Sequence, residues 1–142
     1  MSTIYLLDTN TVSYIANGRC PAARARLEGL ASYEVACISS ITEAEIRYGI
    51  ARRPQASRLR AAVEVLLSKF RILAWGSSEA AAYGELRADL EARGTILSEL
   101  DTLIAAHAIA QHAVLVSNDK AFSHVAALHG LQNWTPEIQQ VK

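Results

Sequence analysis

Four carboxylates stand where a chain turns or a helix begins: Asp8, Glu45, Asp101 and Asp119. Each has an ordinary local use. Asp8, in Leu7-Asp8-Thr9-Asn10, suits the N-cap of a following helix. Asp119, after Ser117-Asn118, suits an Asx-type turn. Asp101 lies three residues after Ser98 and fits a capping box. Glu45 could pair with an arginine across an exposed helix face. Gathered in one cleft, the four would repel one another and raise each other's pKa. A divalent cation removes that cost. Oxygen donors, with no four-cysteine set and no histidine ligand pair, suit Mg²⁺ or Mn²⁺ rather than zinc. Such ions commonly serve phosphate chemistry. Glu43 and Glu99 are rivals for places in the set. Glu43 is explained by a capping box with Ser40 and by Arg47 four residues on, and Glu99 by the helix dipole, so Glu45 and Asp101 take the places.

These residues need elements to position them. Short apolar runs at Ile4–Leu7, Glu34–Ile38, Arg71–Ala74 and Val114–Ser117 read as strands, with a fifth near Leu131–Trp134. Helical patterns lie between them, at Val12–Asn17, Pro21–Ala31, Ser40–Ala51, Pro54–Lys69, Ser78–Arg93 and Ser98–Gln111. The last is apolar nearly all round from Leu103 to Ala110, the mark of a buried helix. Non-alternating strands separated by helices predict an α/β, three-layer α/β/α fold with a mainly parallel sheet of four to five strands. In such sheets ligands bind beyond the carboxyl ends of the strands, where Asp8 and Asp119 both stand.

The chain has 142 residues, the size of a single domain over 1–142. Its hydrophobic fraction of 51% excludes a disordered chain. Two cysteines, Cys20 and Cys37, give neither a disulfide framework nor a zinc site, as expected for reduced thiols in a cytoplasmic protein. No targeting segment or membrane-length apolar run is visible. Lys+Arg and Asp+Glu are 14 each, so the net charge is zero. The charge is polarised, however. Between Ile46 and Ser78, seven basic residues (Arg47, Arg52, Arg53, Arg58, Arg60, Lys69, Arg71) face Glu64 alone. From Glu79 to Asp101 acids dominate. A basic rim beside an acidic cleft is the expected nucleic-acid surface, with Arg47, Arg52 and Arg53 nearest the carboxylates.

Four segments together resemble the PIN-domain ribonucleases, and most closely the VapC toxins of VapBC toxin–antitoxin pairs. They are Leu7–Asn10, Ile38–Gly49, Leu100–Ala108 and Val116–Asp119, followed by a similar ending at Gly130–Trp134. The resemblance runs from about Ile4 to Trp134. It implies a Mg²⁺- or Mn²⁺-dependent endoribonuclease, a homodimer, held inactive by a cognate VapB-type antitoxin. It places the acidic quartet on Asp8, Glu45, Asp101 and Asp119, with Asn10 and Ser117 as supporting polar residues that hold the carboxylates. The subgroup it most resembles cuts initiator tRNA in the anticodon loop, so tRNA is the expected substrate. Three departures stand out. Leu97-Ser98 replaces the usual Ile-Gly, with Glu99 beyond it. Ser117 stands for Thr. Ser123-His124 follows Phe122 where an arginine is common.

Two other readings use the same residues. A phosphoryl-accepting domain of haloacid-dehalogenase or receiver type would use Asp8, but needs an acid where Asn10 stands or after the third strand. A catalytically silent PIN-like module would bind RNA or a partner, but would lack some of the four acids. His107 reads as a packed, hydrogen-bonded core residue. The tyrosines, Tyr48 among them, read as core or interface material.

Overall fold

The computed structural model describes residues 2–138. Five strands, β1 (Thr3–Leu7), β2 (Glu34–Ser39), β3 (Arg71–Leu73), β4 (Val114–Val116) and β5 (Leu131–Gln132), form one sheet in the order β3-β2-β1-β4-β5. Every pairing is parallel, which each strand's passage through a helix imposes. The helices are α1 (Thr9–Ala16), α2 (Pro21–Glu28), α3 (Ser40–Ala51), α4 (Ser57–Leu67), α5 (Ser77–Ala92) and α6 (Glu99–Ala110).

β1 explains the layering. Tyr5 and Leu7 point into a core built with Val12, Ile15, Leu27, Ile50, Val63 and Leu66 of α1–α4. Leu6, between them, points the opposite way, toward Leu86 and Leu90 of α5 and Ile104, Ala105 and Ala108 of α6. Alternate side chains leave opposite faces of a strand, so an unbroken apolar run needs cover on both. The expected three-layer architecture follows. α6 buries Thr102 and Ile104–Ala108 without interruption.

Boundaries moved by one to three residues. One three-residue change is at α1, which starts at Thr9 rather than Val12, because the Asp8 carboxylate accepts the Thr11 N–H at 2.9 Å and caps it. The cap of α3 also differs. Ser39, not Ser40, accepts the Ile41 N–H, while the Ser40 hydroxyl accepts the Trp75 N–H and ties α3 to the chain beyond β3. Glu43 therefore completes no box with Ser40. Its Arg47 partner is as expected, at 3.0 Å.

β1 and β4 are neighbours, with Leu7 opposite Val116. From β1 the sheet continues to β2 and β3 on one side and to β4 and β5 on the other. The carboxyl ends of β1 and β4 thus form the crevice where the winding reverses.

Candidate active site

Asp8 and Asp119 emerge side by side at that crevice. Asp8 is 5% exposed and caps α1. Asp119 caps a 3-10 turn, Lys120–His124, by accepting the Ala121 N–H at 2.9 Å. The Ser117 hydroxyl braces both, accepting the Asp119 N–H at 3.0 Å and hydrogen-bonding the Asp8 carboxyl. Asp101 enters from the first turn of α6, whose cap is Ser98, as the spacing indicated; Ser98 accepts the Asp101 N–H at 3.2 Å. Glu45 comes from the second turn of α3.

The local caps do not quiet Asp8 or Asp101. Burial raises the pKa of Asp8; hydrogen bonds from Ser117 and Thr11 oppose that rise, and the charge of Asp119 adds to it. Burial also raises Asp101, a Ser98 hydrogen bond opposes it, and the charges of Asp119, Asp8 and Glu45 push it further. Asp101 thus senses all three other members. Among the described residues no Lys, Arg or His forms an ion pair with any of the four. The tertiary structure gathers four like charges and supplies no counter-ion.

Of the two supporting residues, Ser117 sits at Asp119, whereas Asn10 is exposed on α1 and, among the described residues, holds no carboxylate. Thr9, its neighbour, does. Its hydroxyl donates to the Glu45 carboxylate at 2.6 Å. Thr9 is the first residue of α1, and its side chain projects toward α3 whereas that of Asn10 turns to solvent. The Asp-Thr-Asn sequence contained both, but only packing of α1 against α3 chooses between them.

The basic stretch divides on folding. Arg47 is held by Glu43 at 3.0 Å and Glu64 at 2.8 Å. Lys69 and Arg71 line a separate cavity with Glu28 and Glu34, beside the β3 edge of the sheet. Arg52 and Arg53 instead line a groove of about 390 Å³ with Thr9 and Glu45, floored by Val12, Ile46 and Val63. Of the acidic run, Glu79 is no surface residue; it is 2% exposed between α5 and α6.

Could the quartet hold a divalent cation? Among the described residues no three His, Cys, Asp or Glu side chains form a ready metal shell. The donors nevertheless fit a hard cation. All are carboxylate oxygens, and among the described residues none has a protein cation beside it.

Four unpaired carboxylates at the switch point of a parallel, doubly covered sheet define an α/β protein with an acidic sheet-end site. The comparisons narrow this. The PIN domain family model matches residues 5–128. Ribonuclease VapC2 of Rickettsia felis is 38% identical over 132 residues, covering 92% of this chain and 98% of that protein. The tRNA(fMet)-specific endonuclease VapC of Salmonella typhimurium is 30% identical over 131 residues, covering 92% and 97%. A crystal structure of VapBC2 from Rickettsia felis, bound to a DNA fragment from their promoter, contains a chain that superposes with a TM-score of 0.86. It is 36% identical, with 93% of this chain and 99% of that chain covered. The chain belongs to the PIN-domain family, in its VapC group.

Proposed function

We propose that this protein is a metal-dependent endoribonuclease toxin that hydrolyses RNA phosphodiester bonds. The observation that carries this reading is the coupling of Asp101 to Asp119, Asp8 and Glu45 with no protein cation to neutralise them. Asp8, Glu45, Asp101 and Asp119 are the catalytic and metal-holding residues. Mg²⁺ or Mn²⁺ bound there supplies Lewis acidity for phosphodiester hydrolysis. The protein's own contribution is to fix the donors. Thr11 and Ser117 orient Asp8, Thr9 orients Glu45, Ser98 orients the start of α6, and Ser117 sets the Asp119 backbone. Arg52 and Arg53 meet the substrate phosphates. Arg47 contributes less, because two carboxylates already neutralise it.

The substrate proposed is tRNA, with cleavage in the anticodon loop of initiator tRNA. Likeness to a relative named for tRNA(fMet) supports this. The partner proposed is a VapB-type antitoxin. The supporting observations are the likeness to a chain of a VapBC complex and the apolar groove beside Glu45, which suits an apolar segment bearing one basic side chain. A homodimer is the proposed assembly. Among the described residues, no helix is long and apolar enough to cross a membrane.

The test is cleavage of total bacterial RNA by purified protein with Mg²⁺, Mn²⁺ or EDTA, beside Asp8→Ala. Discrete fragments with 5′-phosphate and 3′-hydroxyl ends, lost with EDTA and in the variant, are expected. Cleavage that survives EDTA and leaves 2′,3′-cyclic phosphate would overturn the metal mechanism.

A further inference from the structure

Beyond the acidic site, α3 carries an exposed aromatic beside cations that have no carboxylate partner. Tyr48 is 66% exposed, so it is not a core residue, one of the two expectations for it. The Arg52 guanidinium lies over its ring, 5.3 Å from the centroid. Among the described residues neither Arg52 nor Arg53 forms an ion pair, whereas Arg47, on the opposite side of the same helix, forms two. Glu45, Tyr48 and Arg52 recur at intervals of three and four, so they share one face of α3. Seven residues of helix separate Glu45 from Arg52 by about 10 Å. An extended single strand with one phosphate at the carboxylates therefore passes over Tyr48 and reaches Arg52.

We infer that Tyr48 and Arg52 form a stacking platform for an unpaired nucleotide flanking the scissile phosphate of a single-stranded RNA substrate. The inference rests on the nuclease reading above and adds to it the residues that hold the nucleotide beside the scissile phosphate. An exposed ring offers its π-face to any base, and an adjoining guanidinium holds the phosphate of the same nucleotide while packing against the ring. A protein partner is less well matched. The cation against the ring is Arg52, which meets a phosphate along an RNA strand but would need a carboxylate on a protein. Exposure also fits a site that must be open in the free enzyme.

The experiment measures binding of two labelled probes to purified, antitoxin-free protein in EDTA, so that cleavage does not intervene. The probes are a single-stranded oligoadenylate and an abasic oligomer of the same length, which keeps the phosphates and lacks the bases. The intact protein is expected to prefer oligoadenylate by about tenfold, as one stacked base provides. Tyr48→Ala removes that preference and leaves the abasic affinity unchanged. Tyr48→Phe retains it, because stacking needs the ring and not the hydroxyl. Arg52→Gln weakens both probes and reduces the salt slope by about one. Circular dichroism confirms that each variant folds. Equal binding of both probes by the intact protein, or an unchanged preference in Tyr48→Ala, overturns the platform. So does a Tyr48→Ala variant that binds RNA normally but loses its antitoxin, which would assign the ring to a protein interface. A protein that prefers oligoadenylate through Tyr48, yet cuts no RNA with Mg²⁺ or Mn²⁺, keeps the platform and overturns the nuclease reading.

Discussion

Two buried carboxylate sites in this molecule respond to burial in opposite ways. Glu79, between α5 and α6, is 2% exposed. It accepts hydrogen bonds from the Gly76 N–H, the Ser78 hydroxyl and the Gln111 side-chain amide, each at 2.9 Å. Burial alone would raise its pKa, but these donors outweigh burial and hold it at about 2. Asp8 is 5% exposed and has donors too, yet its pKa is raised, because burial outweighs them and a neighbouring carboxylate adds to the rise. The difference lies in the surroundings. Glu79 is surrounded by donors and joins two elements: it reaches back to the start of its own helix and across to Gln111 beyond α6. Asp8 has fewer donors and the Asp119 carboxylate beside it. A satisfied buried carboxylate stabilises a fold, whereas a frustrated one is retained for what it binds. His107 stands near the first site and sharpens the contrast. It is fully buried, yet neither ring nitrogen has a hydrogen-bond partner, contrary to the hydrogen-bonded core residue expected. Burial accordingly lowers its pKa and keeps it neutral, against the pull of Glu79.

If the contrast is right, neutralising each site separates activity from stability. The largest effect is expected for Asp8→Asn and Asp101→Asn. Each lowers RNA cleavage by on the order of 10³-fold or more. Melting temperature stays the same or rises, because a destabilised charge is removed and asparagine still caps α1. A large fall in melting temperature would mean that Asp8 serves the fold after all.

Glu79→Gln is expected to do the reverse. It leaves cleavage intact and lowers unfolding free energy by about 2 kcal/mol, the range for losing hydrogen bonds to a buried charge. Urea titration measures this. The pH dependence has a definite sign. With a folded pKa of about 2, below its ordinary 4.5, Glu79 contributes stability that is fully present above pH 4.5. That stability is lost as pH falls from 4.5 toward 2. The acid limb of a stability-against-pH curve is therefore flatter in Glu79→Gln, and parallel curves would contradict the assignment.

A smaller change tests the orienting residues of the frustrated site. Thr9→Val removes the hydroxyl that holds Glu45 and keeps the shape. Activity or Mn²⁺ affinity is expected to fall by 10–100-fold, the usual consequence of freeing a ligand from its outer partner. Asn10→Ala, one residue on, is expected to change neither. The smallest effect is reserved for Arg47→Ala. Its charge is already neutralised by Glu43 and Glu64, so RNA affinity falls less than in Arg53→Ala, as titrations at several salt concentrations would show.

Much of this protein was legible along the chain. Apolar runs too continuous for a one-faced sheet required helices on both sides, and that requirement led to the parallel order and to the carboxyl-end crevice. The positions of Asp8 and Asp119 after neighbouring strands followed, as did the cap that places Asp101 in the first turn of α6. Those are local or periodic facts, and hydrophobic period and capping chemistry encode them directly. Other features depended on which elements pack together. Thr9 rather than Asn10 holds Glu45 because α1 lies against α3. Arg47 is neutralised because Glu64 of α4 reaches it across a helix interface. Lys69 and Arg71 leave the basic group because β3 is the edge strand, with β2 between it and β1. Glu79 is buried and Tyr48 exposed, although both looked otherwise by type. Sequence determined which side chains this protein has available for chemistry and which end of the sheet presents them. Tertiary structure decided which of them are already satisfied, because a hydrogen bond or ion pair between distant segments exists only once packing has brought both partners together.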